Sequence, residues 1–410
     1  MPLLQVSPPV RLIVLLTVAA CDASDASVGL EPVRETLPNG AVSLSYPALP
    51  LPSGEIVNQS LRVGVVDGDE NSTFGDLRGI EADSSGNIYV LDHQASEIRA
   101  FDAEGRYLRT LTRKGAGPGE LTEANGMILS KDGTLWVQDH GQWQMIELSL
   151  DGKEIRRLPM HVRSYGYVWN GTVDDQGRFW KPTSHEDRPQ TLPPEPGLIE
   201  GSSRQFMKWF DPAAQLTDSV FVGEFTYRTF VSRTARGGYS YRGLPFAPRG
   251  SLIVDPAGGF WITSGETYRV ARLNERGDTV LIIAVDIPPE PVTEDDRSAY
   301  VSDFLERQPE ERRLAEDLAA LANPTKPAID QLNVDDEGRL WVRRLMEAGE
   351  TPIYDLFDRE GAFVGSIQLG FSPTYLPPRI RAGRLYAVVA DEMDVQSFVR
   401  AELPPLEQRE

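Results

Sequence analysis

One arrangement of apolar and polar positions recurs along the chain: a glycine, one free position, an apolar residue, then Trp or Tyr. It stands at Gly86-Asn87-Ile88-Tyr89, Gly133-Thr134-Leu135-Trp136, Gly177-Arg178-Phe179-Trp180, Gly258-Gly259-Phe260-Trp261, Gly338-Arg339-Leu340-Trp341 and Gly383-Arg384-Leu385-Tyr386. Three residues ahead of the glycine come Asp83, Asp174, Asp255 and Asp335, with Ser130 and Ile380 in the other two copies. Asp and Gly supply a tight turn, and the large aromatic opens the strand that follows, so each copy reads as a β-hairpin. A second mark lies downstream, as in Phe101-Asp102-Ala103-Glu104-Gly105, Leu148-Ser149-Leu150-Asp151-Gly152 and Phe357-Asp358-Arg359-Glu360-Gly361. It reads as the hairpin between a third and a fourth strand.

Four short strands per unit, with turns at fixed offsets, is the blade of a β-propeller. The first glycines are 47, 44, 81, 80 and 45 residues apart, against the 40 to 50 or so of an ordinary blade. Neither long interval contains another copy of the signature, so each is expected to hold insertions rather than a hidden blade. The first would carry a Pro-rich loop at about 182–204 and an Arg/Tyr-rich link at about 227–249. The second would carry a helical segment at 293–322, where Thr293 with Asp296 suits an N-cap and Tyr300, Phe304, Leu314, Leu318 and Leu321 fall on helical faces. Near the C-terminus the last unit runs out one strand short at about Leu403, while Leu61-Arg62-Val63-Gly64-Val65-Val66 resembles the fourth strands of other units yet precedes the first signature. A strand from the N-terminus completing the last blade would close the ring and hide both edges. The expected fold is therefore all-β: a six-bladed β-propeller at 61–403 with that mixed closing blade and a small helical insertion between blades four and five. Seven blades is the alternative.

Charge and cysteine content narrow the function classes. With 61 acidic against 41 basic residues the net charge is -20, a field that repels nucleic acid and anionic lipid. A single cysteine excludes an intramolecular disulfide, a thiolate zinc cluster and an iron-sulfur centre. That cysteine follows Arg11 and the apolar run Leu12 to Ala20, which is too short to span a bilayer and suits the core of a secretory signal. Val18-Ala19-Ala20-Cys21 resembles the bacterial lipobox. The resemblance implies a signal peptide at 1–20, Cys21 as the lipidated first residue, and a propeller held outside the cytoplasm in the bacterial cell envelope. Residues 21–60, rich in Ser, Asp, Pro and Gly, read as a flexible tether.

Gly79-Ile80-Glu81-Ala82-Asp83-Ser84-Ser85-Gly86-Asn87-Ile88-Tyr89-Val90-Leu91-Asp92, then Ile98-Arg99-Ala100-Phe101-Asp102 and Lys114-Gly115-Ala116-Gly117-Pro118-Gly119-Glu120-Leu121, resemble the NHL repeat of six-bladed propellers. The likeness is close over blades one and two and degenerate afterwards. It implies the fold and a bacterial propeller lipoprotein, not an activity, because such propellers include both binding scaffolds and lyases.

All the insertions fall on the face that carries the loops from strand two to three and from each blade to the next. That built-up rim is where a ligand is expected. The Arg/Tyr link holds Arg228, Arg233, Arg236, Arg242 and Arg249 with no acid among them, interleaved with Tyr227, Tyr239 and Tyr241. Arg228, Arg233, Arg236, Tyr239, Tyr241 and Arg242 are candidates to bind a peptide, glycan or envelope protein, because guanidinium pairs with carboxylate and stacks on rings. The competing reading is that these arginines pair with the acidic body of the protein itself. His93, His140, His161 and His185 share the same face, with Asp92-His93 and Asp139-His140 read as loop polar residues descended from the repeat. Glu81, in an innermost strand, with Asn333 is the best echo of the channel calcium site of gluconolactonase-like propellers, which would make the chain a metal-dependent lactonase or lyase. The leading expectation is a non-catalytic, lipid-anchored propeller without a cofactor.

Overall fold

The computed structural model describes residues 30–52, 54–159, 172–174, 176–187, 195–211, 216–233, 238–346 and 350–405. Cys21, His161 and Arg236 lie outside them. In chain order, β1 (Val33–Thr36), β2 (Val42–Tyr46) and β3 (Gln59–Val63) precede the repeat. Blade one is β4 (Leu77–Ala82), β5 (Ile88–Asp92), β6 (Glu97–Phe101) and β7 (Tyr107–Thr110), followed by the short pair β8 (Arg113–Lys114) and β9 (Glu120–Leu121). Blade two is β10 (Ala124–Leu129), β11 (Thr134–Asp139), β12 (Gln144–Ser149) and β13 (Glu154–Pro159). Blade three has five strands, β14 (Thr172–Val173), β15 (Phe179–Glu186), β16 (Gly197–Asp211), β17 (Leu216–Arg233) and β18 (Tyr239–Gly243).

Blade four is β19 (Ser251–Val254), β20 (Phe260–Thr263), β21 (Arg269–Leu273) and β22 (Thr279–Val285), after which come α1 (Glu294–Arg307) and α2 (Arg312–Ala320). Blade five is β23 (Ile329–Val334), β24 (Leu340–Arg344), β25 (Ile353–Phe357) and β26 (Phe363–Gln368). Blade six is β27 (Arg379–Arg381), β28 (Arg384–Ala390) and β29 (Gln396–Glu402), completed by β3. The chain is a six-bladed β-propeller. The closing strand and the helices between blades four and five stand where the sequence pattern puts them, and α1 begins with a reciprocal capping box between Thr293 and Asp296.

In three of the six copies the recurring signature is one hydrogen-bonding device. Asp83 Oδ1 accepts from the Ser85 and Asn87 amides at 2.9 Å each, while its Oδ2 takes the Asn87 carboxamide at 2.8 Å and the Tyr89 hydroxyl at 3.1 Å. Asp174 and Asp335 repeat it, their Oδ2 atoms accepting from the indole Nε1 of Trp180 at 2.7 Å and of Trp341 at 2.9 Å. In these three copies the choice of Trp or Tyr over Phe has a local reason: the ring is buried and its polar tip closes the turn. Blade four departs from this, since Asp255 Oδ2 pairs with Arg272 at 2.7 Å and Trp261 Nε1 is buried with no hydrogen-bond partner among the described residues.

The expected flexible tether at 21–60 is corrected from Val33 onward, while residues 21–29 lie outside the described ones. The compact body starts at Pro32, and β1 and β2 form a hairpin that extends blade four, with β2 running parallel to β22 from Val42↔Leu281 to Tyr46↔Val285. Tyr46 is buried; its hydroxyl donates to the Gly361 carbonyl at 2.8 Å and accepts from the Phe363 amide at 3.1 Å, tying the hairpin to blade five. Gly361 permits this approach: its φ is +84°, and a Cβ there would lie 2.9 Å from a Leu44 methyl. Farther on, Val57 bridges Leu369, and β3 pairs β29 at Val63↔Phe398. Residues 33–63 are thus a belt laced across the outer edges of blades four, five and six. The alternation Val42-Ser43-Leu44-Ser45-Tyr46 was the signal for it.

Candidate functional site

Because each blade is an antiparallel meander, the turns joining strands one to two and three to four open on one face, and those joining two to three, with the links to the next blade, open on the opposite face. On that second face blade three outgrows the ring. β15 ends with Glu186 opposite Ser203, but β16 and β17 remain paired as far as Gly197↔Val231, and β18 adds from Gly243↔Thr229 to Tyr239↔Arg233. The expected Pro-rich loop at 182–204 is therefore strand at both ends, and the Arg/Tyr link at 227–249 is largely β17 and β18. Pro182 is accommodated because, among the described residues, β15 at that level is paired only with β16, leaving the missing N–H on an open edge. The ribbon has a core of its own: Phe230 and Leu244 pack with Phe304, Ala315 and Leu318 of the two helices.

Alternation along the ribbon sorts the candidate residues. Phe230 and Arg242 face the helices, where Arg242 reaches Glu311 at 3.5 Å and lies over the Phe304 ring at 6.0 Å. Arg228 pairs with Glu200 on the neighbouring strand at 2.8 Å. These two arginines are held by acids of the protein itself, as the competing reading of the link expected. Arg233, Tyr239 and Tyr241 form an exposed row at the tip, the rings 36% and 40% exposed, with the Arg233 guanidinium 5.6 Å from the Tyr239 centroid. Tyr227 donates to the Asp187 carbonyl at 3.1 Å.

Around the channel, Glu81 is buried and ion-paired to Arg379 at 2.9 Å. Burial raises its carboxyl above the usual range, opposed by Arg379 and by Arg381, which also donates to the Ala82 carbonyl at 3.2 Å. Two guanidiniums thus stand where a cation would have to bind. Asn333 is buried with its Nδ2 lacking a hydrogen-bond partner among the described residues. No group of three His, Cys, Asp or Glu side chains able to hold a metal ion is assembled among the described residues. As arranged, Glu81 is an ion-pair partner and the donor set for calcium does not fit.

The Asp-His pairs hold the loops of this face. Asp92 gathers the amides of Gly75 at 2.9 Å, Ala95 at 3.2 Å and Asp76 at 3.3 Å. Asp139 gathers the Thr122 amide at 2.9 Å, its hydroxyl at 2.6 Å and the Glu123 amide at 2.9 Å. His93 Nδ1 sits 2.7 Å from the Ala124 carbonyl, His140 Nδ1 lies 3.8 Å from a Glu123 oxygen, and His185 is exposed on β15. Between blades one and two these loops enclose an open cleft of about 550 Å3, reached by Asp76, His93, Gln94, Lys114, Thr122 and Glu123. Sequence reading missed it, because it depends on how two blades meet.

A family model, DUF5128, described as a 6-bladed β-propeller, matches residues 69–187. No curated protein matches this chain. Similar solved structures include a member of the DUF4221 family from Bacteroides vulgatus, at 9% identity and TM-score 0.49, covering 85% of this chain and 96% of that one. A gluconolactonase of Xanthomonas campestris is 14% identical at TM-score 0.39, with 80% and 86% covered. Virginiamycin B lyase from Staphylococcus aureus is 10% identical at TM-score 0.38, with 80% and 95% covered.

Proposed function

We propose that this chain is a lipid-anchored, non-catalytic propeller of the bacterial cell envelope that binds a peptide, glycan or envelope protein on its ribbon-bearing face. The observation that carries this reading is the exposed row of Arg233, Tyr239 and Tyr241 on a ribbon with its own core. Amphipathic rings beside a guanidinium, held on a rigid support, are the composition of binding hot spots. The anchor would be the lipid on Cys21. Because the belt begins at Val33, residues 22–32 alone would separate anchor from body, at most about 36 Å when fully extended. The partner would therefore be met close to the membrane surface. Among the described residues no helix is long and apolar enough to cross a membrane.

Two measurements test it. Cys21→Ser should abolish incorporation of a fatty-acid analogue; unchanged labelling removes the anchor from the reading. Joint replacement of Arg233, Tyr239 and Tyr241 by Ala should leave the circular dichroism spectrum intact and lower cross-linked partner recovery from envelope fractions about tenfold or more. Undiminished recovery sinks the ribbon as the binding surface.

A further inference from the structure

The cleft between blades one and two is built more rigidly than a gap between loops. Asp92 and Asp139 are both buried and each fixes one wall through three hydrogen bonds. The walls are tied to each other by His93 Nδ1 at the Ala124 carbonyl and by the Ser96 hydroxyl, which donates to the Thr122 carbonyl at 3.0 Å. Lys114 comes from β8, whose pairing with β9 closes the loop 115–119. That loop is braced by Glu120, which accepts from the Gly117 amide at 2.8 Å, and by Arg157, which donates to the Gly117 carbonyl at 3.0 Å.

Two charges of opposite sign on this frame are not consumed by the fold. The exposed Lys114 ammonium meets no carboxylate among the described residues. Glu123 is half exposed, and one of its carboxylate oxygens lies 3.8 Å from His140 Nδ1. Asp76, by contrast, is already paired with Arg78 at 2.7 Å. The rest of the lining is hydrogen-bonding and carries no Phe, Tyr or Trp ring, which disfavours the stacked pyranose of a glycan. An exposed ammonium and a half-exposed carboxylate in one preorganised polar cleft are complementary to a molecule carrying both charges.

We propose that this cleft is a second binding site, for a small zwitterion: a free amino acid or a short peptide with both termini charged. Lys114 takes the carboxylate and Glu123 the ammonium, with Gln94 and His93 Nε2 as further hydrogen-bonding groups. His93 Nδ1 donates to the Ala124 carbonyl, so Nε2 of the neutral ring is an acceptor. The volume of about 550 Å3 admits a ligand of that size. The site uses none of the ribbon residues and stands or falls separately from them.

The test is an amide-resolved NMR titration of the full chain with triglycine, N-acetyl-triglycine, triglycine amide and methyl α-glucoside. Triglycine should shift the Gln94, Lys114 and Glu123 signals saturably, and capping either terminus should weaken binding about fivefold to tenfold. Lys114→Met should stop distinguishing triglycine from its amide while still rejecting the acetylated form; Glu123→Gln should do the converse. Both side chains are exposed, so neither change threatens folding. Replacing the ribbon row at Arg233, Tyr239 and Tyr241 should leave the titration unchanged. No saturable shift with triglycine, equal binding of the capped forms, or binding of the glucoside in their place each overturns the proposal, the last identifying a polyol site instead.

Discussion

Blades one and two and blade three are built on the same template and end differently. Six residues after the signature glycine, blades one and two carry Asp92 and Asp139, and blade three carries Thr183. In the first two, the buried carboxylate collects the amides of the loop entering its own blade, and the strands stop there. Blade three has no carboxylate at that point; β15 continues to Glu186, and β16 and β17 run on further to form the ribbon. In blades one and two the closed end is held by one anion with three donors around it. Leaving it open takes a second core, here Phe230 against Phe304 and Leu318. The closed end yields a rigid polar cleft and the open end a raised aromatic row, which is why two different kinds of surface occur on one face.

The comparison breaks first at Asp139. Its side chain is fully buried and serves two amides and a hydroxyl. Asp139→Ala should therefore cost about 2–4 kcal/mol in urea unfolding, since three donors lose their buried acceptor at once. Asp139→Asn, which keeps one acceptor oxygen, should cost less. A loss below about 1 kcal/mol for the alanine variant would mean that the carboxylate does not close the blade.

The ribbon should fail in the complementary way. Phe230→Ala empties the centre of its core and is expected to cost about 3 kcal/mol. The effect should be local: hydrogen exchange should accelerate in β18, α1 and α2 while amides of blades one and two keep their protection. Asp139→Ala should show the reverse distribution. If both variants loosened the same amides, the two ends would be one cooperative unit and the distinction between them would collapse.

How much of this was legible beforehand follows the range of the interactions. The six hairpins are local: Asp83 and Tyr89 are six residues apart, and the turn, the polar tip and the strand all fall in one short window. The α1 cap is equally local, which is why Thr293 and Asp296 announced it. The closing strand was readable because it copied the other fourth strands. The belt was overlooked because the three alternating apolar residues of β2 lie among Pro and Ser, and their partner, β22, is a parallel strand far along the chain that no local pattern names. The same holds at the site. Arg228 and Arg242 looked available because their acids, Glu200 and Glu311, stand 28 and 69 positions away. Lys114 and Glu123 sit in plain view as repeat loop residues, yet only the packing of blade one on blade two puts their charges in one cleft.

The smallest effect concerns a cost hidden inside blade three. Lys181 on β15 lies opposite Lys208 on β16, and burial pulls its ammonium down from 10.5 to about 8. A lysine depressed in the folded state is penalised when charged. Above about pH 10.5 it is neutral in both states and costs nothing; as pH falls toward 8 the unfolded chain takes the proton first, so stability declines; below 8 the penalty is constant. Lys181→Met should therefore stabilise the protein at pH 7, by about 1 kcal/mol once partial solvation of the ammonium is allowed for, and the advantage should shrink between pH 8 and 10.5. Denaturant midpoints of the two proteins across that range check it: a gap that stays constant or widens with pH would show that Lys181 is not the strained group. A confirmed gap would sharpen the contrast between the blades, because at the level where blades one and two carry the buried Val90 and Val137, blade three holds a lysine whose charge lowers its stability.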